Sequence, residues 1–158
     1  LATSDDSREL DIIDIGNKAS PSREGSYNAI GSSNGRSVAA SGTTVYPGRL
    51  QDAGAEFFII NTTTPSTPTL SGSLEIGASI FDLTVDGTDV YAATGSNTTE
   101  LVSINVSNPL SPSTQDTLDL TGTEDGLSVA TSGDFLLLGR ENGGTISELA
   151  VVNITEPL

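Results

Sequence analysis

The chain has 158 residues, with 21 acidic against 6 basic side chains and a formal net charge of -15. That balance disfavours nucleic acid and anionic membrane as partners, because both demand basic patches. Cys, His, Met and Trp are absent, which excludes disulfides, thiolate or imidazole metal sites, and Cys/His or Ser/His nucleophilic catalysis.

In chain order, the first apolar strand signal is Glu9-Leu10-Asp11-Ile12-Ile13-Asp14-Ile15, followed by Pro21 and a weak alternating run at Tyr27-Asn28-Ala29. Ser37 to Gly42 and then Val45-Tyr46 read as two strands around a tight glycine turn. The opening motif then returns as Glu56-Phe57-Phe58-Ile59-Ile60-Asn61-Thr62, with Pro65, Pro68 and the run Leu74-Glu75-Ile76 behind it. Asp82 to Gly87 and Val90-Tyr91 form a second glycine-turn pair. Glu100 to Val106 is the third copy, with Pro109, Pro112 and Leu118-Asp119-Leu120. Ser128 to Gly133 and Leu136-Leu137 precede the fourth copy, Glu148 to Ile154, and Pro157.

The four glutamates are spaced by 47, 44 and 48 residues, and Pro21, Pro68 and Pro112 each lie 12 residues after theirs. Each unit therefore holds four short strand signals: A before the glycine, B after it, C from the glutamate, and D past the prolines. Apart from Pro47, which follows Val45-Tyr46, the prolines fall after C and before D, where no ladder hydrogen bond is lost. A period of roughly 45 residues with four strands is a propeller-blade signature. The expected fold is all-β: a β-propeller segment of about three four-stranded antiparallel blades. It divides into a partial blade 9–30, blades 35–77 and 79–120, and a partial blade 127–158. Residue 1 is Leu rather than Met, so the chain is expected to be processed, or excised from a larger or oligomer-completed propeller.

The stretch Leu101-Val102-Ser103-Ile104-Asn105-Val106-Ser107-Asn108-Pro109-Leu110-Ser111-Pro112 resembles the LVIVD repeat, a blade unit of bacterial and archaeal surface proteins. Leu10 to Ile15 supplies its Ile-Ile-Asp core, and the likeness extends over residues 9–158. The departures are Asn for Asp in three copies, Lys18 in place of the first proline, and no tyrosine in the last B strand. The resemblance implies a propeller fold and an extracellular or cell-surface location. It brings no catalytic residues.

Candidate sites follow from the same alignment. Asp86-Gly87-Thr88-Asp89 offers too few of the 6–8 oxygens calcium requires and is read as an ordinary turn. Asp82, Glu124 and Asp125 lie at or near the start of A strands, but Ser37 and Ser128 replace Asp82 in the other units, so no carboxylate ring is expected. The recurring glutamates are read as solvated charges that discourage edge pairing. Asp14, Asn61, Asn105 and Asn153 are expected to close Asx turns. Arg49 and Arg140 follow glycines at matching places and are expected to make local salt bridges. Of four N-glycosylation sequons, those at Asn61, Asn105 and Asn153 sit on the repeat position itself; Asn97 lies off it and is the candidate acceptor.

Length variation falls only in the B–C and D–A connections, so one face is expected to carry any partner. That face is built from 48–54, 95–99 and 139–145, together with 32–35 and 121–126. Its candidate residues are Arg49, Asp52, Asn97, Glu124, Asp125, Arg140, Glu141 and Asn142. The expected function is a non-enzymatic cell-surface or secreted scaffold, with no cofactor and no metal. It binds a protein or glycan, further blades, or itself. The alternative is part of a propeller hydrolase or lactonase whose catalytic residues lie elsewhere.

Overall fold

A computed structural model describes residues 1–5, 8–144, 147–155 and 158. Glu156, Pro157 and the loop end at Thr145 lie outside the described residues. Among the described residues, fourteen strands form four antiparallel sheets, each in up-and-down order. The first holds β1 (Ala2–Asp5), β2 (Arg8–Asp14) and β3 (Ser22–Tyr27). The second holds β4 (Gly35–Ser41), β5 (Thr44–Arg49), β6 (Phe57–Asn61) and β7 (Thr69–Leu74). The third holds β8 (Ile80–Asp86), β9 (Asp89–Thr94), β10 (Leu101–Asn105) and β11 (Ser113–Leu118). The fourth holds β12 (Gly126–Ser132), β13 (Phe135–Arg140) and β14 (Leu149–Asn153).

The repeat register holds. The glutamate-led strands β2, β6, β10 and β14 occupy the same place in successive sheets, and the glycine turns join β4–β5, β8–β9 and β12–β13. In each of those turns the first of two loop residues is a glycine at φ near +58° (Gly42, Gly87, Gly133). That is the II′ pattern, whose twist matches the flanking strands.

Two elements differ from the sequence expectation. β1 pairs with β2 through Ala2 and Leu10 and supplies the B strand of the first sheet. The D strands begin directly after the second proline, so Leu74-Glu75-Ile76 and its counterparts mark the strand's exit, where the chain turns away from the ladder. Every C–D pair carries a bulge at the same place, between Ile12/Ile13, Ile59/Ile60 and Ser103/Ile104.

The core consists of three layers between consecutive sheets. Leu10 and Ala29 meet Phe58 and Ile60. Tyr46, Phe57 and Ile59 meet Ile80, Leu83, Val90 and Ile104, with the rings of Tyr46 and Phe57 stacked 6.1 Å apart. Tyr91, Ala93 and Leu101 meet Val129, Leu136 and Leu138. Each full burial of such a side chain contributes about 1.5–3 kcal/mol. Alternate residues of each C strand thus face opposite neighbours (Phe57 forward, Phe58 back), which only face-to-face stacking of sheets can satisfy. β4, β8 and β12 lie side by side as the innermost strands. The molecule is an open propeller segment.

Candidate functional site: a loop face braced by buried carboxylates

The recurring glutamates are buried, which corrects the expectation of solvated edge charges. Glu9 is 2% exposed, and Glu56 and Glu100 are 0% exposed. Each reaches across its own sheet to a backbone amide 20 residues on, just past the D strand. Ala29 N–H donates to Glu9 Oε2 at 2.7 Å, Ile76 N–H to Glu56 Oε2 at 2.8 Å, and Leu120 N–H to Glu100 Oε2 at 2.9 Å. Gly77 N–H adds a second bond to Glu56 at 3.1 Å. These amides have left the strand ladder, and the carboxylates satisfy them. Glu148, in the fourth sheet, is exposed.

The arginines meet the same connections from the following sheet. Arg49, 1% exposed, donates to the carbonyls of Ala55 (2.7 Å) and Ile30 (2.9 Å) and to Asp52 Oδ1 (2.9 Å). Its guanidinium also lies over the Phe58 ring, 5.1 Å from the centroid. Arg140 donates to Glu100 Oε1 and the Thr121 carbonyl, both at 3.2 Å, and lies 3.7 Å from Glu124. Local salt bridges were expected; the arginines also cross from one sheet to the connection of the previous one. Their charge is consumed internally.

Asp52 is a hinge of this brace. Burial pushes its carboxyl up, but amides of Gly54 and Ser32, with Arg49 beside it, outweigh that and hold it below its ordinary value. Gln51 links the same loop to the next connection: its side-chain amide donates to the Gly77 carbonyl at 2.6 Å and its backbone N–H donates to Ser79 Oγ at 3.0 Å. Glu124 is tied to Arg140. Asp125 is pushed up, first by burial and then by Glu141 and Glu100. Asn97, Glu141 and Asn142 are exposed, and Asn142 Oδ1 caps the Gly144 amide at 2.7 Å. Asn97 sits in a loop whose Thr99 hydroxyl donates to Ser96 Oγ at 2.9 Å. The structure therefore brings Arg49 with Asp52, and Arg140 with Glu124, Asp125 and Glu141, in two separate clusters.

Asp82 does not join them. Its Oδ2 accepts from Val129 N–H of the next innermost strand at 3.0 Å and its Oδ1 from Leu83 N–H at 2.9 Å, so it ties two sheets together. All four Asx turns form: Gly16, Thr63, Ser107 and Thr155 amides donate to Asp14, Asn61, Asn105 and Asn153. Among the described residues no three His, Cys, Asp or Glu side chains group as metal ligands.

The glutamate-to-amide tie, the Asx turn and the bulged C–D pair occur together in the first sheet between Glu9 and Ala29. Residues 4–29 match the LVIVD repeat. LVIVD repeats are associated with β-propellers, and β2 and β3 lie wholly within the match. The second and third sheets repeat the tie and the bulge of the LVIVD-matched sheet, and all three later C strands repeat its Asx turn, so the chain is a propeller-like repeat module. No curated protein matches the chain.

Sequence reasoning missed one cleft, on the opposite face. It opens between the third and fourth sheets with a volume of about 200 Å³, lined by Asp89, Tyr91, Ser103, Gln115, Asp116 and Thr155 among others. Asp89 is pushed up there, by burial and then by Asp86. Ser103, standing where the second sheet has Ile59, was the available signal.

Proposed function

We propose that this chain is a non-enzymatic scaffold of the cell surface or exterior, working by stacking a further blade on its fourth sheet. One observation carries the reading. On the outward side of that sheet Leu149 is 56% and Val151 61% exposed, and half-buried Leu137 pairs directly with Val151. Their counterparts Phe57, Ile59 and Tyr46 in the second sheet are buried against the third. An apolar face of this shape is one a sheet covers. The non-enzymatic part rests on the loop face, where Arg49, Arg140, Glu100 and Asp52 are spent on holding the chain together. The location rests on composition: abundant Thr, Ser, Asn and Gly with a single lysine.

The test is light scattering over a concentration series, on the full chain and on Leu149→Asp/Val151→Asp. The native chain should gain mass with concentration through this face, and the variant should stay monomeric with an unchanged β-sheet spectrum. A native chain that remains monomeric at every concentration overturns the stacking reading.

A further inference from the structure

The buried glutamates differ in what meets their second oxygen. Glu100 Oε1 is met by Arg140, the residue that pairs with Gly126 at the end of the next sheet's B strand. Arg49 holds the same place in the second sheet, opposite Gly35. In the third sheet that place, opposite Ile80, belongs to Thr94. Thr94 is fully buried, and its hydroxyl donates to the Thr99 carbonyl at 2.5 Å. Its short side chain brings no charge to Glu56. Gly77 O, the counterpart of the Thr121 carbonyl, takes the Gln51 amide instead. Among the described residues, Glu56 Oε1 is thus buried with no donor.

Glu75 adjoins Ile76, whose amide holds the other oxygen of Glu56. Phe57 pairs with Leu74, so the register sets Glu75 across from Glu56 at the end of this C–D pair, and the charge of Glu56 bears on it. Two carboxylates offer only acceptors, so a hydrogen bond between them requires that one carries a proton. We propose that Glu56 and Glu75 form a proton-binding pair which stands in for the missing arginine and makes the junction between the second and third sheets pH-responsive.

The proton closes this junction as an O–H···O bond from Glu75 to Glu56. Desolvation, and then the charge of Glu56, raise the Glu75 carboxyl above its ordinary value of 4.5. The other charged groups bearing on it come from the β5–β6 connection: Asp52 acts in the same direction and Arg49 opposes. From β9 the junction receives the neutral Thr94. Below 4.5 the group is protonated folded and unfolded, and the bond is intact. As pH rises from there to the raised folded value, the folded state holds more protons than the unfolded one, and stability falls; above it the loss is complete.

The experiment is urea unfolding of the full chain from about pH 4 to 8, for the native protein, Glu75→Gln and Thr94→Arg, with a carbon-detected titration of the Glu75 carboxyl. Glu75 is exposed, so Glu75→Gln is expected to fold, and its amide can donate to Glu56 at any pH. The expected result is a native Glu75 midpoint above 4.5 that returns toward it in Thr94→Arg. The stability gap between Glu75→Gln and the native chain should widen as pH rises. A midpoint at or below 4.5, or parallel pH profiles for the native chain and Glu75→Gln, overturns the proposal. So does stabilisation of the native chain by calcium at neutral pH that Glu75→Gln abolishes, because a metal would then hold the pair.

Discussion

At the scale of single residues, the organising feature is a carboxylate placed where an apolar strand begins. A glutamate there can stay in water or turn inward, and the backbone decides. The chain beyond each D strand presents amides that have lost their ladder partner, and a buried carboxylate is the strongest acceptor available to them. Arg140 then offsets the desolvation of Glu100. Arg140→Met leaves that carboxylate buried without its cation and should cost about 3–5 kcal/mol in denaturant unfolding. The cost should shrink in a Glu100→Gln background, because the two act as one unit. Asp52→Asn tests the depressed carboxyl. A lowered folded value contributes stability that is present above the ordinary 3.8 and lost as pH falls through the depressed value. The variant should therefore be less stable than the native chain at neutral pH, and the difference should close in acid.

At the scale of elements, two kinds of glycine separate conformation from space. Gly87 has φ +58° and nothing within 4 Å of where a Cβ would sit. Gly87→Ala should cost about 1–2 kcal/mol, the penalty of the left-handed region alone. Gly72 lies in β7 with ordinary backbone, but a Cβ there would stand 2.4 Å from the Pro109 carbonyl oxygen of the next sheet. Gly72→Ala should cost about 1–3 kcal/mol through overpacking, and equilibrium unfolding of both variants checks the contrast. Gly25 meets Pro65 in the same way, so the proline that ends one C strand seats on a glycine of the preceding D strand.

The same elements show how much the sequence disclosed. Glycine turns, proline positions and period-two apolar runs are local signals, and they placed the A, B and C strands of the repeat in register, while the D runs marked the exits of their strands. β1 escaped because four residues of mixed polarity carry no alternation. The burial of Glu9, Glu56 and Glu100 escaped because the bond that explains it joins residues 20 apart and belongs to no hydrophobic period. A signal was present all the same: a charged residue repeated in every copy at the mouth of a buried strand, and an arginine one place after glycine in two units. Replacement of that arginine by Thr94 was equally visible, but its consequence for Glu56 needed the stacking of sheets.

At the scale of the whole molecule, the account makes one structural demand: consecutive sheets bury one another's faces, and the fourth sheet presents the next such face to solvent. Asp82, Arg49 and Arg140 each bond across a sheet boundary, so the four sheets should unfold as one unit despite their quasi-linear order. Small-angle scattering of the native chain at low concentration, with the mass measured on the same sample, tests this most directly. The account predicts a monomer whose profile fits an open arc of four stacked sheets, with mass increasing on concentration and the increase abolished by Leu149→Asp/Val151→Asp. A closed particle of constant monomer mass, with Leu149 and Val151 shielded from solvent, would contradict it.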